Sequence, residues 1–139
     1  MESSRSDNFF GEIPSDAIWA IVDLLASDAE ESGIDTADLR CVIGDAKSMF
    51  LAAGLAYGEN KAVRAAENAL REFAARYGEK KIKILLFSIR ACADFGIDDM
   101  KSANDVINRH CEEDAATILA YRFDPELDDA VRVTLLFSA

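Results

Sequence analysis

The sequence of 139 residues contains neither of the two glycine-rich patterns that most often hold a phosphate group, G-x-x-x-x-G-K-[ST] and G-x-G-x-x-G. Its only glycine pair near a predicted strand end, Gly54 and Gly58 in "GLAYGEN", lacks the spacing at which consecutive backbone N–H groups surround a phosphate. We therefore expect the chain to bind no nucleotide by itself, and the sequence indicates no other cofactor.

Cysteine and histidine are scarce. Cys41, Cys92 and Cys111 form no C-x-x-C pair, which argues against a disulfide framework or a zinc site and fits a reducing cytosol. His110, the single histidine, adjoins Cys111, but adjacent side chains of a helix diverge by about 100°, which disfavours a Cys–His nucleophile. We expect His110 to occupy a position near a helix C-terminus, which favours a cation. We expect no metal site.

Long apolar runs and a secretion signal are also missing. The longest apolar run, "AIWAIVDLLA", is interrupted by Asp23 and is too short to cross a bilayer. The start of the chain, "MESSRSDNFF", has no basic region and no apolar stretch of the kind found in signal peptides. These patterns favour a cytoplasmic protein that does not contact the membrane directly.

Positive charge is in short supply, because 15 basic residues stand against 26 acidic ones, for a net charge of −11. Residues 1–40 contain ten acids and two arginines, a net of −8. Such a chain repels nucleic acid and anionic lipid. A binding partner is therefore expected to be a protein with basic groups, or a metal–phosphate complex.

Hydrophobic periodicity predicts an α/β fold of the α+β kind: a four-stranded mixed sheet in the order β-α-β-α-β-β, with helices packed on it and a leading helix before it. Residues 1–12 are predicted to be a flexible polar leader, and 13–139 a single domain. Within that domain we expect the leading helix at 15–32, a segment with a short helix at 33–45 and the core at 46–139. The core elements are a strand from Met49 to Leu55, helices at about 59–77 and 98–111, a strand from Ile82, and a final hairpin of "ATILAYRF" and "VRVTLLFS".

Two aspartates in "GIDTADLR" are the candidate functional residues. Asp35 suits the N-cap position before a short helix predicted from about Thr36 to Gly44, and Asp38 follows three residues later, where an acid complements the helix dipole. The same two carboxylates on an exposed helix start could orient a water molecule or bind a magnesium-coordinated phosphate. The sequence pattern alone is compatible with both roles.

Four segments resemble parts of one protein family, and they occur in the same order along the chain. The first, "SDAIWAIVDLLAS", resembles the end of a central helix, and the second, "GIDTADLR", resembles N-x-D-x-x-D-[VL]-R. The third, "GLAYGENKAVRAAENAL", resembles G-x-A-x-G-E-[DN]-[RK]-A-x-x-A-A-E-x-A-[IL], and the fourth, "FDPELDDAVRVTLLFS", resembles D-P-x-[ML]-x-D-x-x-R-V-T. These are motifs of the bacterial tubulin-like division protein FtsZ. The resemblance covers about residues 9 to 139 and corresponds to the second, C-terminal domain with its connecting helix.

The resemblance implies a role and also shows departures. In the family, GTP lies between two filament subunits, and the catalytic loop inserted by one subunit positions water near the γ-phosphate held by the other. Asp35 and Asp38 match the two acids of that loop, whereas Gly33 stands where the pattern has asparagine. The family's N-I-T-[AG]-G after the second strand is replaced by "FSIRACAD".

Several functions remain open on this basis. The first is an interaction domain that docks on, or caps, a filament of a full-length FtsZ-like protein. The second is completion of a partner's GTPase site in trans by Asp35 and Asp38, and the third is an isolated or relict domain. An independent enzyme is disfavoured. The chain could also associate with itself, since the apolar side of the connecting helix must either fold back on the sheet or form an oligomer surface.

Overall fold

The computed structural model describes residues 8–14, 16–22, 44, 48–91, 95–127 and 129–139. Strands and helices alternate along most of this part of the chain. Their bounds are β1 (Phe9–Pro14), α1 (residues 16–22), β2 (Ser48–Tyr57), α2 (Lys61–Tyr77), β3 (Ile82–Ala91), α3 (Ile97–Asn108), β4 (Cys111–Phe123), a short 3-10 turn (Pro125–Leu127) and β5 (Ala130–Ser138). The predicted α/β fold and the core order β-α-β-α-β-β are confirmed.

The sheet has five strands, one more than predicted, in the spatial order β1-β2-β5-β3-β4. The pairs β1–β2, β2–β5 and β5–β3 are antiparallel, and the pair β3–β4 is parallel, so the sheet is mixed as expected. The additional strand is β1, and residues 9–12, which were placed in the polar leader, form most of it. Phe10 explains this difference, because its ring stacks on that of Phe50 with 5.4 Å between centroids and so ties the segment to the core.

The predicted final hairpin is wrong, because β5 does not pair with β4. Instead β5 lies between β2 and β3, and β4 lies at the edge of the sheet. Six of the nine residues of β5 are buried, whereas most of β4 is exposed or only half-buried. The more apolar strand therefore occupies the centre, where both of its edges and both of its faces are covered.

The main hydrophobic core lies between the sheet and the two longer helices. Phe73 of α2 is fully buried, and its ring meets that of Phe137 of β5 edge-on at 4.9 Å between centroids. Full burial of one such ring contributes about 1.5–3 kcal/mol through the hydrophobic effect. Ala103 and Ile107 bring α3 into the same core.

The opposite face of the sheet is covered by α1. Ile18 and Val22 are buried there against Met49, Leu86 and Leu136. Of the two arrangements expected for the connecting helix, residues 16–22 therefore adopt the one that folds back on the sheet. The rest of the predicted helix at 15–32 lies outside the described residues, as does the short helix predicted from Thr36, apart from Gly44.

Candidate functional site

Asp35 and Asp38, the predicted site residues, lie outside the described residues, but the points at which the chain enters and leaves their segment are described. Val22 precedes that segment and Met49 follows it, and both side chains are buried in the same cluster on the α1 face of the sheet. The segment that carries the two aspartates is therefore tethered at both ends to one place on the fold.

The glycines of "GLAYGEN" serve packing and chain direction. A Cβ atom at Gly54 would lie 2.5 Å from the backbone nitrogen of Ala69 and still closer to the backbone oxygen of Ala65. Glycine is thus required for α2 to rest against β2. Gly58 has φ +79°, and Asn60 just before α2 has φ +55°, so both adopt the left-handed conformation in which the chain turns from strand to helix.

The two longest motifs of the sequence meet at Asp129. One of its carboxylate oxygens accepts a hydrogen bond from the backbone N–H of Gly58 at 3.1 Å, and the other accepts one from Nζ of Lys61, also at 3.1 Å. The hydrogen bond from Lys61, together with that from Gly58, lowers the pKa of Asp129 below its ordinary value. Asp129 therefore joins the turn before β5 to the turn before α2.

Asn68 makes a second connection between helix and strand. Its side-chain Nδ2 donates a hydrogen bond to the backbone oxygen of Leu55 at 3.1 Å, and its Oδ1 accepts one from Arg71 at 2.9 Å. The helical motif thus supplies one polar tie to β2 beside the close approach at Gly54. These contacts assign a structural role to the motif.

A row of three arginines crosses the sheet on three neighbouring strands. Arg90 of β3 lies directly opposite Arg122 of β4 on one side and Arg132 of β5 on the other. Arg90 lies four residues after Leu86 on β3, so the row shares the face on which α1 packs. Like charges directly opposite each other destabilise a sheet, so this positive strip favours carboxylates nearby.

Asp124 supplies one such carboxylate. Its Oδ2 lies 3.8 Å from Nη1 of Arg90, and its Oδ1 accepts a hydrogen bond from the backbone N–H of Glu126 at 3.0 Å. Arg90 and Arg122 each take part in further contacts. Sequence reasoning missed the row, because no pattern along the chain shows that β5 inserts next to β3.

His110 and Cys111 do not form a reactive pair. His110 directly follows the C-terminal cap of α3, near the helix end as predicted. Burial lowers its pKa, and the charges of Lys81 and Arg109 lower it further, so the surroundings disfavour the cation that this position was expected to favour. Burial raises the pKa of the Cys111 thiol, and Sγ lies 3.5 Å from the backbone oxygen of Ile107. A nucleophilic cysteine needs a lowered pKa, the opposite of what is found here.

The described residues contain no group of three or more histidine, cysteine, aspartate or glutamate side chains that could hold a metal ion. No helix in that part of the chain is long and apolar enough to span a bilayer.

The geometry defines an α+β domain in which the motif glycines, Asn68 and Asp129 hold strand and helix together. A sequence model of the FtsZ family, C-terminal domain, matches residues 47–139. The chain therefore belongs to the FtsZ family through its C-terminal domain.

Solved structures agree with this assignment at the level of the fold. Two structures of FtsZ from M. jannaschii, one of a tyrosine-for-tryptophan mutant and one of an empty dimer, each superpose with a TM-score of 0.68. Both are 17% identical in sequence over 91% of this chain. This chain spans 42% and 40% of the length of those two chains.

Proposed function

We propose that this domain docks on the end of a filament of a full-length FtsZ-type protein and caps it, without binding nucleotide by itself. The main support is membership of the FtsZ family over residues 47–139, preceded by a segment whose Asp35 and Asp38 match the family's catalytic loop. In filaments of the family, as the resemblance implies, this loop faces the GTP of the neighbouring subunit.

The described fold suits such a docking role. The described residues that flank this part of the chain, Val22 and Met49, have side chains buried in one cluster on the sheet, so the sequence between them leaves and returns to the same face. The face that would receive a further subunit in a filament contains the nucleotide loop, and these 139 residues include neither glycine-rich phosphate pattern.

A second role is favoured by one observation, the match of both aspartates to the catalytic acids. Asp35 and Asp38 would then complete the GTPase site of the partner in trans, by orienting the attacking water. Gly33 in place of the family's asparagine weighs against full activity, so we rank capping above catalysis. In either case the domain is not an enzyme by itself, and it acts in the cytoplasm on a protein of cell division.

The experiment adds this domain to a full-length FtsZ-type protein with GTP and measures filament mass by sedimentation and GTP hydrolysis by phosphate release. Capping predicts that substoichiometric amounts shorten filaments, with at most a weak gain in hydrolysis. The variant carrying both Asp35→Asn and Asp38→Asn keeps the side-chain shape and loses the charges. Its melting temperature is expected to stay nearly unchanged, since asparagine caps helices about as well as aspartate.

The matched control is Asp105→Asn, which removes a charge from an exposed position of α3. Equal hydrolysis with the wild-type domain and with the double variant would reject the catalytic role and leave capping standing. Filaments of unchanged length and mass at equimolar wild-type domain would overturn the docking proposal itself.

A further inference from the structure

The strand β1 is attached to the edge of a sheet whose other four strands all lie within residues 47–139, the part matched by the family model. In the described part of the chain it pairs with β2 alone. None of its six residues is fully buried, since three are exposed and three are half-buried. An edge strand with so little buried surface opens more easily than the strands it covers.

Phe10 attaches β1 to the rest of the domain. Its ring stacks on that of Phe50 in β2, with 5.4 Å between centroids, and lies 6.2 Å and 6.4 Å from the rings of Phe73 and Tyr77 in α2. The guanidinium of Arg76 lies 5.5 Å from the centre of the Phe10 ring, which adds a cation–π contact. These three rings and the guanidinium, here called the aromatic groove, receive one aromatic side chain from an extended strand.

The edge of β2 adds backbone hydrogen bonds beside the aromatic groove. The backbone N–H of Leu55 donates to the side-chain Oδ1 of Asn8 at 3.2 Å, so this N–H points to the side of β1. Alternate residues of a strand direct their N–H groups to the same side, which places those of Leu51 and Ala53 opposite β1 as well. One ring in a pocket and a strand added to a sheet edge are together a known mode of peptide recognition.

Cations lie against the rings of the groove, although the chain as a whole is acidic. Besides Arg76, Nζ of Lys80 lies 5.7 Å from the ring centre of Tyr77. In β1, Glu12 follows Phe10 by two residues and therefore lies on the same face of the strand. The occupant thus shows the chemistry that the groove accepts: an extended segment with an aromatic residue and, two positions later, an acid.

We infer that the aromatic groove and the edge of β2 are a binding site for a segment of this chemistry in a partner protein. β1 is the strap of this chain that occupies the site, and it must open before the partner segment can enter. Because the strap belongs to the same chain, its effective concentration at the site is high, and it competes with the partner. This inference is independent of the filament role, because it involves neither Asp35 nor Asp38.

The opening of β1 is tested by native-state hydrogen exchange of the whole chain in low urea. The amides of Leu51 and Ala53 face β1, whereas that of Ala52 faces β5, so neighbouring residues report on the two sides of β2. The amides that face β1 should exchange at least about tenfold faster than that of Ala52 and depend less on urea. Phe10→Ala should speed them at least about tenfold further, whereas Phe9→Ala, which removes the same side chain from an exposed position, should have a smaller effect. Amides of Leu51 and Ala53 that exchange only with the whole fold, as Ala52 does, overturn the strap.

The site is tested with a synthetic peptide of residues 8–14, N-F-F-G-E-I-P, added to the Phe10→Ala chain after a melting curve has shown that this variant is folded. The peptide should slow exchange at Leu51 and Ala53 again, and it should bind at least about tenfold more weakly to the wild-type chain, whose own β1 fills the groove. The same peptide carrying Phe10→Ala is the matched control, and a peptide carrying Glu12→Lys should bind more weakly than the natural one.

Three results would overturn the inference. A natural peptide that binds no better than its Phe10→Ala form refutes the site, and equal binding of the Glu12→Lys peptide refutes the preference for an acid. Self-association of the wild-type chain in sedimentation equilibrium, lost in Phe10→Ala, would identify β1 of a second copy as the occupant and refute a separate partner.

Discussion

Gly54 offers the sharpest test of how the family motif stabilises the fold. In Gly54→Ala the new Cβ would lie 2.5 Å from the nitrogen of Ala69, whereas ordinary contacts of this kind are more than 3 Å. The opposing atoms belong to the backbone of α2, which cannot move aside as a side chain can. The helix must therefore shift away from β2 by about 1 Å and lose packing along its length. Overpacking in a core costs about 1–3 kcal/mol, and we expect this site to reach or exceed the upper value.

The assay is urea unfolding followed by circular dichroism, with the free energy of unfolding obtained by linear extrapolation. Gly96→Ala is the matched control, because its Cβ would meet nothing closer than a carboxylate oxygen of Asp99 at 4.0 Å. Gly96 is the N-cap of α3, where alanine is less favourable than glycine, so that variant is expected to lose about 0.5–1 kcal/mol, clearly less than Gly54→Ala. A loss below about 1 kcal/mol in Gly54→Ala would refute the argument that close approach of α2 requires glycine here.

Three more predictions concern polar contacts. Asn68→Ala should lower the free energy of unfolding by about 1 kcal/mol, because the backbone oxygen of Leu55 loses the hydrogen bond donated by Asn68. Arg71→Ala keeps that hydrogen bond and should lower the free energy of unfolding by less in the same urea assay. Asp129→Asn should lower stability at pH 7. The gap to wild type should narrow as the pH falls below about 3.8, the ordinary pKa, and it should close only below the lowered pKa of Asp129, where the group is protonated in both the folded and the unfolded chain; melts over a series of falling pH values test this. The lowered pKa of His110 should give an NMR titration midpoint below 6.5, and a midpoint above 6.5 would contradict the direction of this shift. Because the unfolded chain binds the proton more readily, the free energy of unfolding should decline as the pH falls below 6.5, and His110→Gln should remove that decline.

Most of the core elements could be predicted from the sequence because their periodic signals are strong. The helix predicted at 59–77 is observed as Lys61–Tyr77, and its alanine-rich face is buried. The alternation of Met49, Leu51 and Leu55 identified β2 correctly. These signals are local, because each depends only on the spacing of apolar residues within one segment of the sequence.

What could not be predicted depends on contacts between distant parts of the chain. β1 has only six residues, and it forms because Phe10 meets Phe50, 40 residues away in the sequence. The insertion of β5 between β2 and β3 is likewise decided by burial and not by the turn that precedes it. A turn rich in aspartate and proline favours a change of direction, and it does not specify which strand becomes the neighbour.

The candidate site shows the same limit. Asp35 and Asp38 were found through their spacing and their resemblance to a catalytic loop, yet capping a helix and orienting water require the same residue types in the same order. The arginine row could not be found at all, since its three members lie in three separate strands and meet only through the strand order. The positions of the arginines in β3, β4 and β5 predict such a row only once the neighbours and the register of each strand are known.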